Sequence, residues 1–362
     1  MRNALWPAAL VFVLALPFFS HCIHLGDHQW HIAIARDMAA GRARPPHPLF
    51  HACLLALTAR DDALTAPGVV AFLLAAALAA RAALTAGVLA EVPGISPLRI
   101  TFFCVALALA MPIPAWWGVQ TYLGDLSPNR WHNPTGVFAM PFALAVFIYG
   151  TRMLPQPSLR GAAATSTAMV LSLLAKPNYV LAFGPCLAVC LTAVLWHAVR
   201  EGRLKLSAAC VLFLLTFGPA LAVLAAQFTL FSREGHILYA PFEVWNLFTR
   251  EHVKESILVG IVYPLLVVVC YPRAANASSN LTLAWAALGV GMATFALFAE
   301  SDDRIAHGNF SWGMIFADHV LFVASTAFLL RQPNGVRKLL CLAALACHAL
   351  AGIAQLARDW KQ

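Results

Sequence analysis

Charge is what this sequence has least of. Asp, Glu, Lys and Arg make up 11% of its 362 residues, while 61% are hydrophobic; soluble globular domains carry about 25% charged residues. Most of the chain therefore belongs in lipid. Alternating polar and apolar patterning is also missing, because the apolar runs are continuous, and this argues against a β-barrel. No polar linker, low-complexity tract or internal repeat divides the chain, so one integral domain over 1–362 is expected. A Walker loop, a GxSxG, an HExxH and a CxxC pair are all absent, which speaks against ATP-driven work and the hydrolase and zinc chemistries those motifs carry. The nine cysteines show no metal-ligand spacing. Most, such as Cys104, Cys186, Cys190, Cys210 and Cys270, lie inside apolar runs as small hydrophobes, so no disulfide framework is inferred. A small-x-small cleavage site does not follow the first apolar run, where Phe18 to Cys22 stands instead, so that run is read as an uncleaved helix.

What is present is a series of apolar runs of membrane-spanning size. Eleven are counted, at 5–23, 66–90, 98–117, 134–150, 162–176, 178–198, 204–227, 256–271, 281–298, 313–330 and 338–356. The expected fold is all-α, a polytopic transmembrane bundle. With the N-terminus in the cytoplasm, the inner segments hold Arg2, Arg99, Arg152, Arg160, Arg200, Arg203, Lys205, Arg273, Arg331, Arg337 and Lys338, against only Glu91 and Glu201. This bias obeys the positive-inside rule and accounts for the formal charge of +8 without nucleic acid. Two further segments, 28–40 and 48–59, are too short to span. They read as helices in the outer interface, the first with Trp30, Ile34 and Met38 on one face.

The polar chemistry then collects on the outer side. Asp27 follows Gly26 at the exit of the first run and precedes His28 and His31. A carboxylate at that depth can serve as a general base toward a hydroxyl, assisted by the imidazoles; it can equally be the N-cap of the following helix. A divalent metal on Asp27, His28 and His31 is a weaker alternative, since these positions converge poorly. Segment 118–133 holds Asp125, Arg130, Trp131, His132 and Asn133. Arg130 and His132 suit a phosphate oxygen, and Trp131 suits a sugar face or the headgroup belt. Lys176, before Pro177, can hold a lipid phosphate as a point charge or simply snorkel. Asp302, Asp303, Arg304, His307 and Asn309 are expected substrate contacts in segment 299–312. Segment 228–255 mixes charges and aromatics as a lid or a solvated surface would. Asp318 and His319 fall inside an apolar run, with Arg81 as a conceivable partner.

This arrangement resembles the GT-C superfamily of membrane glycosyltransferases. In that superfamily an acidic residue follows the first span, two juxtamembrane helices come next, and a second acidic residue often lies between spans 3 and 4. Here Asp27, segments 28–40 and 48–59, and Asp125 hold those places. The resemblance covers about the first half of the chain, with 1–200 as the GT-C-like catalytic module and 201–362 as added spans and loops. The first acidic position is a single Asp rather than a pair, and no large outer domain follows the last run. The resemblance implies an inverting glycosyltransferase of a bacterial inner membrane, acting on its outer face. The donor would be a polyprenyl-phosphate-linked sugar and the acceptor a glycan, lipid or protein. Asp27 and Asp125 would be catalytic, with His28, His31, Arg130, Trp131, His132, Asn133 and Lys176 binding substrate and no cofactor required. A flippase or transporter of a lipid-linked sugar, and a polymerase using lipid pyrophosphates, are the competing readings.

Overall fold

The computed structural model describes residues 2–24, 26–58, 66–114, 124–231 and 236–361; the side chains of 2–4, 231, 302, 303 and 306 lie outside that description. Helix α1 (Arg2–His21) leads through a tight turn at Cys22–His24 into two short helices, α2 (His28–Ala39) and α3 (Leu49–Leu57). Then come α4 (Ala66–Leu89), α5 (Pro97–Leu109), α6 (Pro134–Met153), α7 (Leu159–Ala175), α8 (Asn178–Arg200) and α9 (Leu206–Phe231). Strand β1 (Ile237–Tyr239) and α10 (Glu243–Thr249) precede α11 (Val253–Cys270), α12 (Pro272–Asn276) and α13 (Ser279–Leu297). Strand β2 (Phe298–Glu300) pairs antiparallel with β1, and α14 (Ser311–Leu330) and α15 (Val336–Asp359) complete the bundle.

Among the described residues, nine helices are long and apolar enough to cross a membrane: α1, α4, α6, α8, α9, α11, α13, α14 and α15. Helices α5 and α7 are apolar but shorter, at 13 and 17 residues. The protein is thus a multi-pass helical membrane protein. Helix starts follow local chemistry. Ser96, Asn133 and Ser158 each accept a backbone N–H of the first turn, and Pro97 and Pro134 occupy positions where a missing N–H costs nothing.

The basic turns gather at one end, where Arg152 pairs with Glu91 and Arg337 reaches the Cys270 carbonyl at 3.5 Å. At the other end His21 stacks on Trp360, with ring centres 4.1 Å apart. Helix α14 runs through the middle and is buried from Ser311 to Leu329.

One run departs from expectation. Within the apolar stretch 98–117 the helix ends at Leu109 and 110–114 are non-helical, while 115–117 lie outside the described residues. Pro112 and Pro114 explain the stop, because the residue before a proline is pushed to extended backbone. Non-helical backbone inside such a bundle must be satisfied by protein. Met111 N–H donates to the His348 carbonyl at 3.0 Å and Ile113 N–H to the Val259 carbonyl at 3.1 Å. His348 Nδ1 donates to the Met111 carbonyl at 2.7 Å, and Tyr263 N–H reaches His348 Nε2 at 3.4 Å. The returning segment 124–133 is buried apart from half-buried His132, so this described part of the expected outer loop 118–133 is folded into the bundle. Asn129 anchors it, donating from Nδ2 to the Leu107 and Ala110 carbonyls at 3.0 and 2.7 Å, and so caps the broken end of α5.

Candidate functional site

Asp27 sits in a turn made by Gly26 at φ +65°. A Cβ on Gly26 would strike the His132 carbonyl, the same carbonyl that accepts the Asp27 N–H at 3.1 Å. Residue 27 is the N-cap position of α2, yet its side chain makes no capping bond. Its carboxylate instead takes a hydrogen bond from Asn133 Nδ2 at 2.7 Å. The purely capping role is thereby ruled out.

Asn133 is the hub. Its Oδ1 accepts from the Gly136 N–H at 2.8 Å, from Thr135 Oγ1 at 2.9 Å and from Lys176 Nζ at 3.3 Å. One amide therefore ties Asp27 to Lys176. Lys176 stands where Pro177 terminates α7, and its Nζ also donates to Thr135 Oγ1 at 3.3 Å. The ammonium lies 4.0 Å from the Trp312 ring centre, a cation–π contact. Gly136 makes room for that indole, since any side chain there would overlap it. Burial pushes Lys176 down from its usual 10.5 to about 7; Asp27 and Glu300 oppose the shift and Arg130 adds to it.

Arg130 flanks the same indole at 5.8 Å and donates to Ser311 Oγ and to the Asp125 carbonyl, both at 3.4 Å. Burial lowers it to about 9. Asp125, buried beside it, is raised to about 6 by desolvation, with Arg130 opposing. The imidazoles of α2 and α3 meet here as well: His31 Nδ1 lies 3.0 Å from His51 Nε2. Burial, then neighbouring positive groups, lowers His31 to about 2. Burial also lowers His132 to about 4, with Arg130 adding to the shift and Asp27 opposing it. These imidazoles are neutral hydrogen-bonding groups at physiological pH. Among the described residues, no three His, Cys, Asp or Glu side chains converge as a metal site would require.

A cleft of about 170 Å³, partly open to the outside, adjoins Lys176. One wall is apolar, from Leu181 of α8 and Leu224 and Phe228 of α9; the other carries His47, Glu300, Arg304 and Asn309. Asn309 Nδ2 donates to Glu300 Oε2 at 2.7 Å, and Arg304 pairs with the same oxygen at 3.7 Å. No protein-family model matches the chain. Comparison with curated proteins and with solved structures also finds no match.

The structure brings together Asp27, Asn133, Lys176, Arg130 and His132, with His28 and His31 buried on the adjoining helix and Asp125 beyond Arg130. Arg304 and Asn309 join through the cleft. Other sequence expectations fare differently. Trp131 is buried against Phe18, with ring centres 6.2 Å apart, and Trp312 is the indole that lies beside the Lys176 and Arg130 cations. His307 is exposed at the end of a short turn. Asp302 and Asp303 lie outside the described side chains. Arg81 is not tied to Asp318 but donates to Asn129 Oδ1 at 2.6 Å, while both Asp318 carboxylate oxygens are buried with no hydrogen-bond partner among the described residues. Sequence reading assigns no role to His47, His51 or Trp312, while Glu300 belongs to the polar loop 299–312 that it singles out. His47 precedes and His51 lies within the apolar segment 48–59, whose pattern speaks only for membrane affinity.

Proposed function

We propose that the protein is an inverting membrane glycosyltransferase that moves a sugar from a polyprenyl-phosphate donor to an acceptor hydroxyl. The observation that carries this reading is the Asp27–Asn133–Lys176 connection: a base and a phosphate-binding cation share one amide at the mouth of a half-apolar cleft. The lipid chain would lie along Leu181, Leu224 and Phe228 with its phosphate at Lys176. The acceptor oxygen attacks the anomeric carbon as the bond to the phosphate oxygen breaks. The hydroxyl proton passes to Asp27, and the charge that grows on the leaving phosphate is met by Lys176 and Arg130. Attack opposite the leaving phosphate inverts the anomeric centre. Asn133 holds base and cation at a fixed separation, which is the positioning such a displacement needs.

In this reading the site end faces outward from a bacterial inner membrane, because the opposite end carries the basic turns. The acceptor is an extracytoplasmic glycan, lipid or protein. The test is transfer from labelled polyprenyl-phosphate sugars by membranes containing the native protein or Asp27→Asn. Transfer that is lost in a well-expressed variant supports the assignment. Equal transfer by both removes Asp27 from the chemistry, and no transfer from any donor overturns the reading.

A transporter is the second reading, favoured by one observation: buried polar atoms of Arg81, Asp318 and His319 lie within the helices. It predicts movement of a lipid-linked sugar across the bilayer without chemical change, and transfer assays separate the two.

A further inference from the structure

Gln227 lies near the site end of α9 and lines the cleft with Lys176. It is 7% exposed, and its Nε2 donates to the Leu173 carbonyl at 2.7 Å. Its Oε1 is buried with no donor among the described residues. Native proteins rarely leave a buried acceptor unmatched without a reason. Glu300, at the end of β2, is a second acceptor on the cleft wall and is also 7% exposed. Its Oε2 already has Asn309 and Arg304, but an ionised carboxylate offers about four lone-pair sites.

These two acceptors sit on different elements around one space, and both are mismatched to a bare anion. A phosphate brings lone pairs, not donors, and Glu300 repels it. A ligand that satisfies the whole cleft must place a negative group at Lys176, hydroxyl donors at Gln227 and Glu300, and hydrocarbon at Leu181, Leu224 and Phe228. A sugar phosphate carried on a lipid has that order of groups.

We infer that Gln227 and Glu300 read the hydroxyls of the donor's sugar, making the cleft the seat of the donor headgroup; this rests on the glycosyltransferase reading. It has a consequence for turnover. Once the sugar has left, the bare lipid phosphate no longer supplies the hydroxyls and still faces Glu300, so the product is expelled in preference to the substrate.

The test is binding of undecaprenyl phosphate and of its mannosyl, glucosyl and arabinosyl forms to the full-length protein in lipid nanodiscs. At least one glycosylated form is expected to bind about tenfold tighter than the bare phosphate, the worth of one or two well-placed hydrogen bonds. Gln227→Leu and Glu300→Gln should each bring that ratio toward one. Gln227→Leu should leave the bare phosphate unaffected, and Glu300→Gln should tighten it by removing the repulsion. Gln227→Met is a second variant should leucine impair folding. Glycosylated forms that bind no better than the bare lipid overturn the inference, as do variants that weaken every lipid alike. Native protein that binds none of the four overturns the glycosyltransferase reading itself, a different outcome from either.

Discussion

Lys176 Nζ sits 4.0 Å from the centre of the Trp312 ring, an indole that also packs against Gly136. That contact, with the bonds to Asn133 Oδ1 and Thr135 Oγ1, keeps the buried ammonium in place. Several testable consequences come from this pair and its neighbours.

Loss of the carboxylate charge should stop chemistry without unfolding the protein. Asp27→Asn can keep a bond to Asn133 by flipping its amide, so the melting midpoint in detergent should stay near that of the native protein. Removing a general base costs about 10²- to 10⁴-fold, and kcat in the transfer assay should fall by that order.

Anion binding should depend on pH with a defined sign. In the empty site burial brings Lys176 to about 7, and a bound phosphate favours its protonated form. Binding therefore takes up a proton and weakens as pH rises through about 7. The folded empty protein carries fewer protons at this residue than the unfolded chain between about 7 and 10.5, so the Lys176 contribution makes stability rise with pH across that window. Titrating undecaprenyl phosphate between pH 6 and pH 9 checks the first half; a flat profile in Lys176→Arg identifies the group.

Filling the space opposite Trp312 should damage the site from a distance. The Cβ of Gly136→Ala would overlap the indole, forcing Trp312 off the Lys176 ammonium. Overpacking costs about 1–3 kcal/mol. A lower melting midpoint, altered tryptophan fluorescence and weakened lipid-phosphate binding should appear together.

His348 should matter for stability and not for chemistry. It serves both the Met111 carbonyl and the Tyr263 N–H where α5 is broken. His348→Leu leaves both buried groups unmatched, at about 1–3 kcal/mol each. Denaturation of the detergent-solubilised protein should register the loss, while the surviving folded fraction keeps native KM.

The orientation is open to chemical labelling. In a background free of native cysteines, Gly202→Cys, beside Arg200 and Arg203, should react with a membrane-impermeant maleimide only in inverted vesicles. Gly41→Cys, at the end of α2, should react only in right-side-out vesicles. The reverse pattern would turn the molecule over and place Asp27 inside.

Much of the framework was legible from local pattern. The two short helices fall at 28–39 and 49–57, against expected segments of 28–40 and 48–59, because Gly41 and the Pro45-Pro46 pair interrupt the chain between them. The break at Leu109 was signalled by Pro112 and Pro114 but masked by the apolar residues that continue past it. Hydropathy registers what lipid tolerates, and Met111 and Ile113 are tolerated whether helical or extended. The partners that make the extended form stable, His348 and Val259, lie far away in sequence. The two tryptophans show the same limit, because only tertiary packing, against Phe18 for Trp131 and against Gly136 for Trp312, distinguishes them.

The sequence by itself determined that this chain is a helical membrane protein, where its long helices run, and that acidic, basic and imidazole groups collect at the end opposite the basic turns. Those properties are sums over local transfer free energies and loop charges, which need no knowledge of neighbours. Only the tertiary structure decided that Asp27 answers to Asn133 rather than to its own helix. It also decided that one amide joins Asp27 to Lys176, that Arg81 supports Asn129 instead of Asp318, and that Gln227 and Glu300 line one cleft. Each of these depends on a single hydrogen bond or on the shape of one cleft between distant segments, and such contacts leave no periodic trace in the sequence.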